Sequence, residues 1–222
     1  ISKEKLRKII EPHFFEVLNS DEYKVETIDA KNLLTHNRFD LSFKLLFLKM
    51  IDNDDNFATE AYVEHIKALT LGEFKEPGSS KKNNFEDYLK AFEDIFYDIK
   101  RKGFNNNLSV IPLSKSGYIA NGSHRVASSI VLNKKIDCVN LQVSDHIYDY
   151  NFFLKRGLPL NIMDAAACEF IENSKNVFIA IIWPTAVGKD NEIAKISNLN
   201  QNKLLEESKN MNKTIYEREK EI

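Results

Sequence analysis

Asn121-Gly122-Ser123-His124-Arg125 gathers a glycine, a hydroxyl, an imidazole and a guanidinium into five consecutive residues. A glycine between a strand and a helix lets the backbone pass close to a ligand, and the free N–H groups of the helix's first turn attract an anion. Ser123 adds a hydroxyl donor. Arg125 adds a fork suited to phosphate, and His124 a group able to donate, accept or shuttle a proton near neutral pH. Four compatible groups in one turn point to a bound anion, best read as the phosphates of a nucleotide.

An arbitrary Asn-Gly-Ser is an ordinary helix cap. What gives this one weight is the order of elements around it. Residues 108–113 (LSVIPL) read as a short apolar strand, Lys115-Ser116-Gly117 as a turn, and Tyr118-Ile119-Ala120 as the returning strand of a hairpin. The glycine turn then opens into a helix over 126–132, and residues 135–143 (KIDCVNLQV) alternate as a strand.

Upstream, the apolar spacing predicts amphipathic helices over residues 3–19, 39–51, 58–69 and 85–102. The second is buried on most sides, the third is capped by Thr59 or Asn56 and ends at Gly72, and the fourth stops at Gly103. Residues 73–84 form a polar loop with a Pro77-Gly78 turn signal. Downstream, residues 164–172 read as a helix capped by Asp164, and 177–183 (VFIAIIW) as a buried strand closed by Pro184. The fold class is therefore α+β: helices packed on a small mixed sheet, in a domain spanning 1–190 with a helical part (1–103) and a strand-rich part (104–190). Residues 191–222 read as one long helical extension. Its loose three/four spacing fits coiled-coil pairing, and so predicts oligomerisation or attachment to a larger parent chain.

The 222 residues, 43% hydrophobic and 29% charged, describe an ordinary globular chain. With 31 basic and 33 acidic residues and a formal charge of −2 there is no basic field for nucleic acid, and none is expected as a partner. No run of about 18 apolar residues predicts a transmembrane segment, which places the protein in the cytoplasm. Cys138 and Cys168 stand among apolar or small residues, without metal-ligand spacing, and are expected as buried thiols in a reducing compartment.

Residues 108–141 resemble the core motif of the ParB N-terminal/sulfiredoxin-like superfamily, in which a hairpin leads into a Gly-x-His-Arg-type turn, a helix and a strand. The resemblance implies that Gly122, Ser123, His124 and Arg125 form a phosphate-binding turn, with Asn121 in a place often held by an acidic residue. Position 123 is Ser where a sulfiredoxin needs its catalytic Cys, and no helix-turn-helix follows as in ParB proteins. The resemblance is thus to the kinase-like branch. A vaguer likeness, carried by Asp40, Lys44, Tyr62, Glu64, His65, Ile66, Phe74 and Glu76, is to domains of bacterial surface-polysaccharide gene clusters.

What this implies is an ATP-dependent kinase, or one using another nucleoside triphosphate, with Mg²⁺, acting on a hydroxyl of a small molecule or saccharide. The alternative is a non-catalytic nucleotide-binding or partner-docking module of a larger polysaccharide-biosynthesis protein. A phosphotransferase needs cations to offset phosphate charge, for which Lys44, Lys81 and Lys82 are candidates. It also needs a group to take the acceptor's proton or hold Mg²⁺, for which Glu64, Glu76 and Asp164 are candidates beside His124. His65 reads as a satisfied core residue and Trp183 as a core plug, although an indole at a strand end is also able to stack on a base, and Tyr118 or Trp183 on a sugar.

Overall fold

The strand read over residues 135–143 organises the sheet. In the computed structural model, which describes residues 1–53, 55–75, 84–105 and 107–174, β3 (Lys135–Val143) is the central strand. On one side it pairs antiparallel with β1 (Glu26–Asp29), Glu26 opposite Cys138. On the other it pairs parallel with β2 (Ile111–Ser114), Ile111 opposite Cys138. Alternation along β3 sends Ile136 and Cys138 into one apolar cluster and Val139 and Leu141 into another, so both faces of the sheet are covered.

The second face is covered by the N-terminal segment. The single helix expected over residues 3–19 is broken: α1 (Lys3–Arg7) ends early, and a 3₁₀ segment runs Pro12–Val17. Pro12 is the cause, because the residue before a proline is pushed out of the helical region, and Glu11 is extended at φ −69°, ψ 142°. The periodic residues Leu6, Ile10, Phe14 and Leu18 are nonetheless all buried, against Val139 and Leu141.

The other face carries the helices. In α2 (Asp40–Lys49) every residue from 40 to 48 is buried, because Leu41, Leu45 and Leu48 pack into the cluster over the sheet while Phe43 and Leu46 pack into a second cluster behind it. A helix enclosed on all sides buries whatever polar residues it carries, here Asp40 and Lys44. The next helix, α3 (Asn56–Thr70), is capped by Asp55, whose side chain accepts from the Ala58 N–H, rather than by Thr59 or Asn56. It ends in left-handed Leu71 and Gly72. The helix α4 (Phe85–Lys102) forms as read, capped by Asn84, with Glu86 and Asp87 in its first turn, Lys100, Arg101 and Lys102 in its last, and Gly103 at its stop.

Between β2 and β3 lies α5 (Ser123–Val131), making a β-α-β crossover. The expected hairpin is reduced to one bridge, Leu113 to Ile119, flanked by bonds from the Ser114 N–H to the Tyr118 carbonyl and from the Ala120 N–H to the Pro112 carbonyl. Two short elements carry no clear periodic signature: β1, and α6 (Tyr150–Lys155), capped by Asp149. The helix α7 (Leu160–Asn173) starts four residues before the expected point, after Pro159, which leaves Asp164 exposed inside the helix and not at its cap. Cys138 is buried as expected. Cys168 is exposed, because the buried face of α7 is set by Ile162, Met163 and Ala166, and position 168 lies on its far side. Among the described residues no helix is long and apolar enough to cross a membrane. The strand read at 177–183, with Trp183, and the extension from 191 lie outside the described residues, as do Glu76, Lys81 and Lys82.

Candidate functional site

After the β2 turn the chain runs back beside the strand, with the Ala120 N–H donating to the Pro112 carbonyl (2.9 Å), and this delivers residues 121–125 next to Ile111. Gly122 bends the backbone into the helix at φ +92°, and its own N–H donates to the Asn121 side-chain oxygen. A Cβ on Gly122 would stand 2.9 Å from Ile111 Cδ1 and 2.7 Å from Arg125 Nη2. Glycine is thus required twice, by the left-handed backbone and by the lack of space. The first α5 bond runs from the Val126 N–H to the Gly122 carbonyl (3.0 Å), leaving earlier amides outside the helix ladder. The N–H and hydroxyl of Ser123 have no protein partner among the described residues.

This helix start opens on a cleft of about 700 Å³, lined by Asn121, Gly122, Ser123 and His124. The His124 ring lies 4.5 Å, centroid to centroid, from Phe92, and its Nε2 is 2.8 Å from the hydroxyl of fully buried Tyr62. Arg125 is turned elsewhere. Its guanidinium donates to the Val110 carbonyl and to Glu11 Oε1, each at 3.2 Å, beneath Gly122 and not along the cleft wall. Of the five residues in the turn, four reach the cleft and Arg125 braces it from behind.

The start of α2 supplies a charged wall. Arg38 holds the Asp40 carboxylate with two parallel bonds (Nε–Oδ1 2.7 Å, Nη2–Oδ2 2.9 Å), donates to the Ile119 carbonyl, and lies 5.3 Å over the Tyr148 ring. Lys44 Nζ donates to Asp40 Oδ2 (3.0 Å), to the Asp40 carbonyl (3.2 Å) and toward His65 Nε2 (3.3 Å). Burial by itself would push the Asp40 carboxyl up. The charges of Arg38 and Lys44 override it and hold the group ionised, well below the usual carboxylate range. Burial, and then the charge of Lys44, holds His65 well below the ordinary imidazole value, so the ring is neutral. An ammonium has only donors, so Nε2 of His65 must accept and its ring proton resides on Nδ1. His65 is thus buried in the core, as read, and its Nε2 orients Lys44, but it is not the satisfied residue expected, since its buried Nδ1 has no hydrogen-bond partner among the described residues.

Ile66, Leu69 and Leu71 from the end of α3, together with Tyr88 and Tyr148, add an apolar wall. Arg38, Lys44 and Lys75 face two carboxylates, Asp40 and Glu73, around the same cleft, beside His13, His124 and His146. The balance is cationic, and the positive end of α5 adds to it. Of the carboxylates named from the sequence, Glu64 is not there. It lies on the outer side of α3, paired with Lys67 at 3.1 Å, and Asp164 is on exposed α7 surface. Glu73 was missed, because the likeness that picked Glu76 from the same polar loop passes over it. Arg38 had a readable signal: it stands two residues before an aspartate that heads an otherwise apolar helix. Among the described residues no group of three or more His, Cys, Asp or Glu is arranged to hold a metal ion. No protein-family profile, curated protein or solved structure matches the chain.

Proposed function

We propose that the cleft binds a nucleoside triphosphate, with its phosphates on the start of α5, and transfers the terminal phosphoryl group to a hydroxyl of a small molecule or saccharide. The observation that carries this reading is the joining, in one cleft, of a glycine-led helix start and the charge of buried Lys44 with an apolar wall able to hold a base. The β2–α5–β3 crossover with its glycine turn keeps the helix and strand order of the ParB/sulfiredoxin-like resemblance of residues 108–141, although the hairpin before it is reduced to one bridge and Arg125 turns away from the cleft.

In this reading the Ser123 hydroxyl and the first amides of α5 donate to phosphate oxygens, and Lys44, oriented by Asp40 and His65, offsets their charge. His124 takes the acceptor's proton: in the tautomer whose Nε2–H donates to the Tyr62 hydroxyl 2.8 Å away, its Nδ1 carries the lone pair. The acceptor oxygen bonds to the γ-phosphorus, the bond from that phosphorus to the β–γ bridging oxygen breaks, and the nucleoside diphosphate leaves. Asp40 is locked between two cations, so Glu73 is the cleft carboxylate that would hold Mg²⁺, which would supply charge neutralisation.

A second reading, a nucleotide-binding module without transfer, is favoured by the outward position of Glu64, which removes one expected base from the site. One experiment separates them. Calorimetry with ATP, CTP and GTP plus Mg²⁺ is followed by ³¹P NMR of mixtures with hydroxylated acceptors. Binding of one nucleotide, weakened at least tenfold in Lys44→Met, with transfer to an acceptor, supports the kinase. Binding without transfer or slow hydrolysis supports the module. No binding of any nucleotide refutes both.

A further inference from the structure

Leu71 is the most exposed of the large apolar side chains among the described residues, at 75%, and it lines the cleft. Its backbone is left-handed (φ 53°, ψ 33°), a conformation that glycine or asparagine normally supplies at a helix end. The helix stop does not need a leucine for its hydrogen bonds, since the Leu71 and Gly72 N–H groups reach the Lys67 carbonyl through backbone alone. Phe74, three residues on, is also left-handed (φ 52°), but its ring packs on the main core beside Phe85. Phe74 has burial to offset its backbone cost. Leu71 has none among the described residues.

A strained backbone that presents an uncovered apolar side chain at a cleft points to contact with something that enters it. We propose that Leu71, continuing the wall of Ile66, Leu69 and Tyr88, is the platform on which the base of the bound nucleotide rests, and so adds affinity for a nucleoside over bare phosphate. The inference rests on the nucleotide reading above. A base covers a leucine through its flat apolar face while its phosphates stay with Ser123 and Lys44. Covering about 55 Å² of apolar surface, at about 25 cal/mol per Å², corresponds to about tenfold in affinity.

The test is titration calorimetry of wild type, Leu71→Gly and Leu71→Met, each with inorganic tripolyphosphate and with the nucleoside triphosphate that most raises the wild-type melting temperature. Leu71→Gly removes the side chain and relieves the left-handed backbone, so its melting temperature should stay within about 2 °C of wild type or rise. Its loss of nucleoside triphosphate affinity should exceed its loss of tripolyphosphate affinity by about tenfold, whereas Leu71→Met, which keeps an apolar body, should bind within threefold of wild type. If Leu71→Gly binds the nucleotide as tightly as wild type, or melts more than about 5 °C lower, the platform role is wrong and the phosphate site stands. The same holds if wild type binds tripolyphosphate and nucleotide equally. If wild type binds neither, the nucleotide reading itself falls, and the platform with it.

Discussion

Replacing Gly122 with alanine tests the site's architecture at its tightest point. The new methyl group would sit at φ +92°, which costs an L-residue about 1–2 kcal/mol, and 2.9 Å from Ile111 Cδ1, a fully buried atom. Forcing a methyl group into a packed core costs about 1–3 kcal/mol more. Arg125 Nη2, 2.7 Å from the same Cβ, cannot simply swing away without giving up Val110 and Glu11. Gly122→Ala should therefore lose about 2–5 kcal/mol, a fall in melting temperature of about 5–15 °C for a chain of this size. Because Ile111→Val removes the clashing Cδ1, the penalty of Gly122→Ala should shrink by about 1 kcal/mol in that background. This is a coupling that a double-mutant cycle by urea denaturation reads directly. A Gly122→Ala melting temperature within 2 °C of wild type, or an equal penalty in both backgrounds, would show that α5 does not start in this conformation.

Two further outcomes follow from the charges around the cleft. His65 is held neutral in the folded protein while the unfolded chain takes up a proton near the ordinary value of about 6.5, so stability rises with pH across that range; going from pH 7.5 to 5.5 should cost on the order of 1 kcal/mol through this residue, and urea titrations of wild type against His65→Gln should show that pH dependence vanish in the variant, an unchanged slope refuting it. Glu64→Gln should leave phosphoryl transfer within twofold of wild type, because the side chain pairs with Lys67 away from the cleft, while Glu73→Gln should slow it more than tenfold; the reverse ranking in initial rates would overturn the assignment.

What the sequence could and could not convey follows from how local each cause is. The caps, periodicity and stop of α4 lie within its own eighteen residues, and β3 announces itself by alternation, so both were legible. The break at Pro12 was also local, but the even spacing of Leu6, Ile10 and Phe14 masked it: the residues stay on one buried face although the helix between them ends. By contrast β1 is four residues long, with no apolar signature, and exists because β3 offers an open edge more than a hundred residues away. The glycine turn was legible because its residues are contiguous. The outward turn of Arg125 was not, since Glu11 and the Val110 carbonyl, which claim it, come from other parts of the chain.

The buried charges of α2 show why the remaining part of the site was written in a different code. An aspartate and a lysine one turn apart in a helix enclosed on every side cost desolvation, and apolar residues of similar volume are often as stable or more so. Stability therefore gives no reason for Asp40, Lys44 and His65 to be where they are. Their geometry does: Arg38 neutralises and fixes Asp40, the Asp40 carboxylate, the Asp40 carbonyl and neutral His65 take all three donor positions of Lys44, and the buried ammonium is left as a charge fixed beside the cleft. An ion positioned before the ligand arrives is worth more to an incoming phosphate than a surface lysine that must first be ordered, because no reorganisation remains at the moment of binding. If the cleft binds phosphate as proposed, Asp40 and Lys44, which interrupt this helix at i and i+4, are the part of the sequence where binding outweighs the fold's own preference.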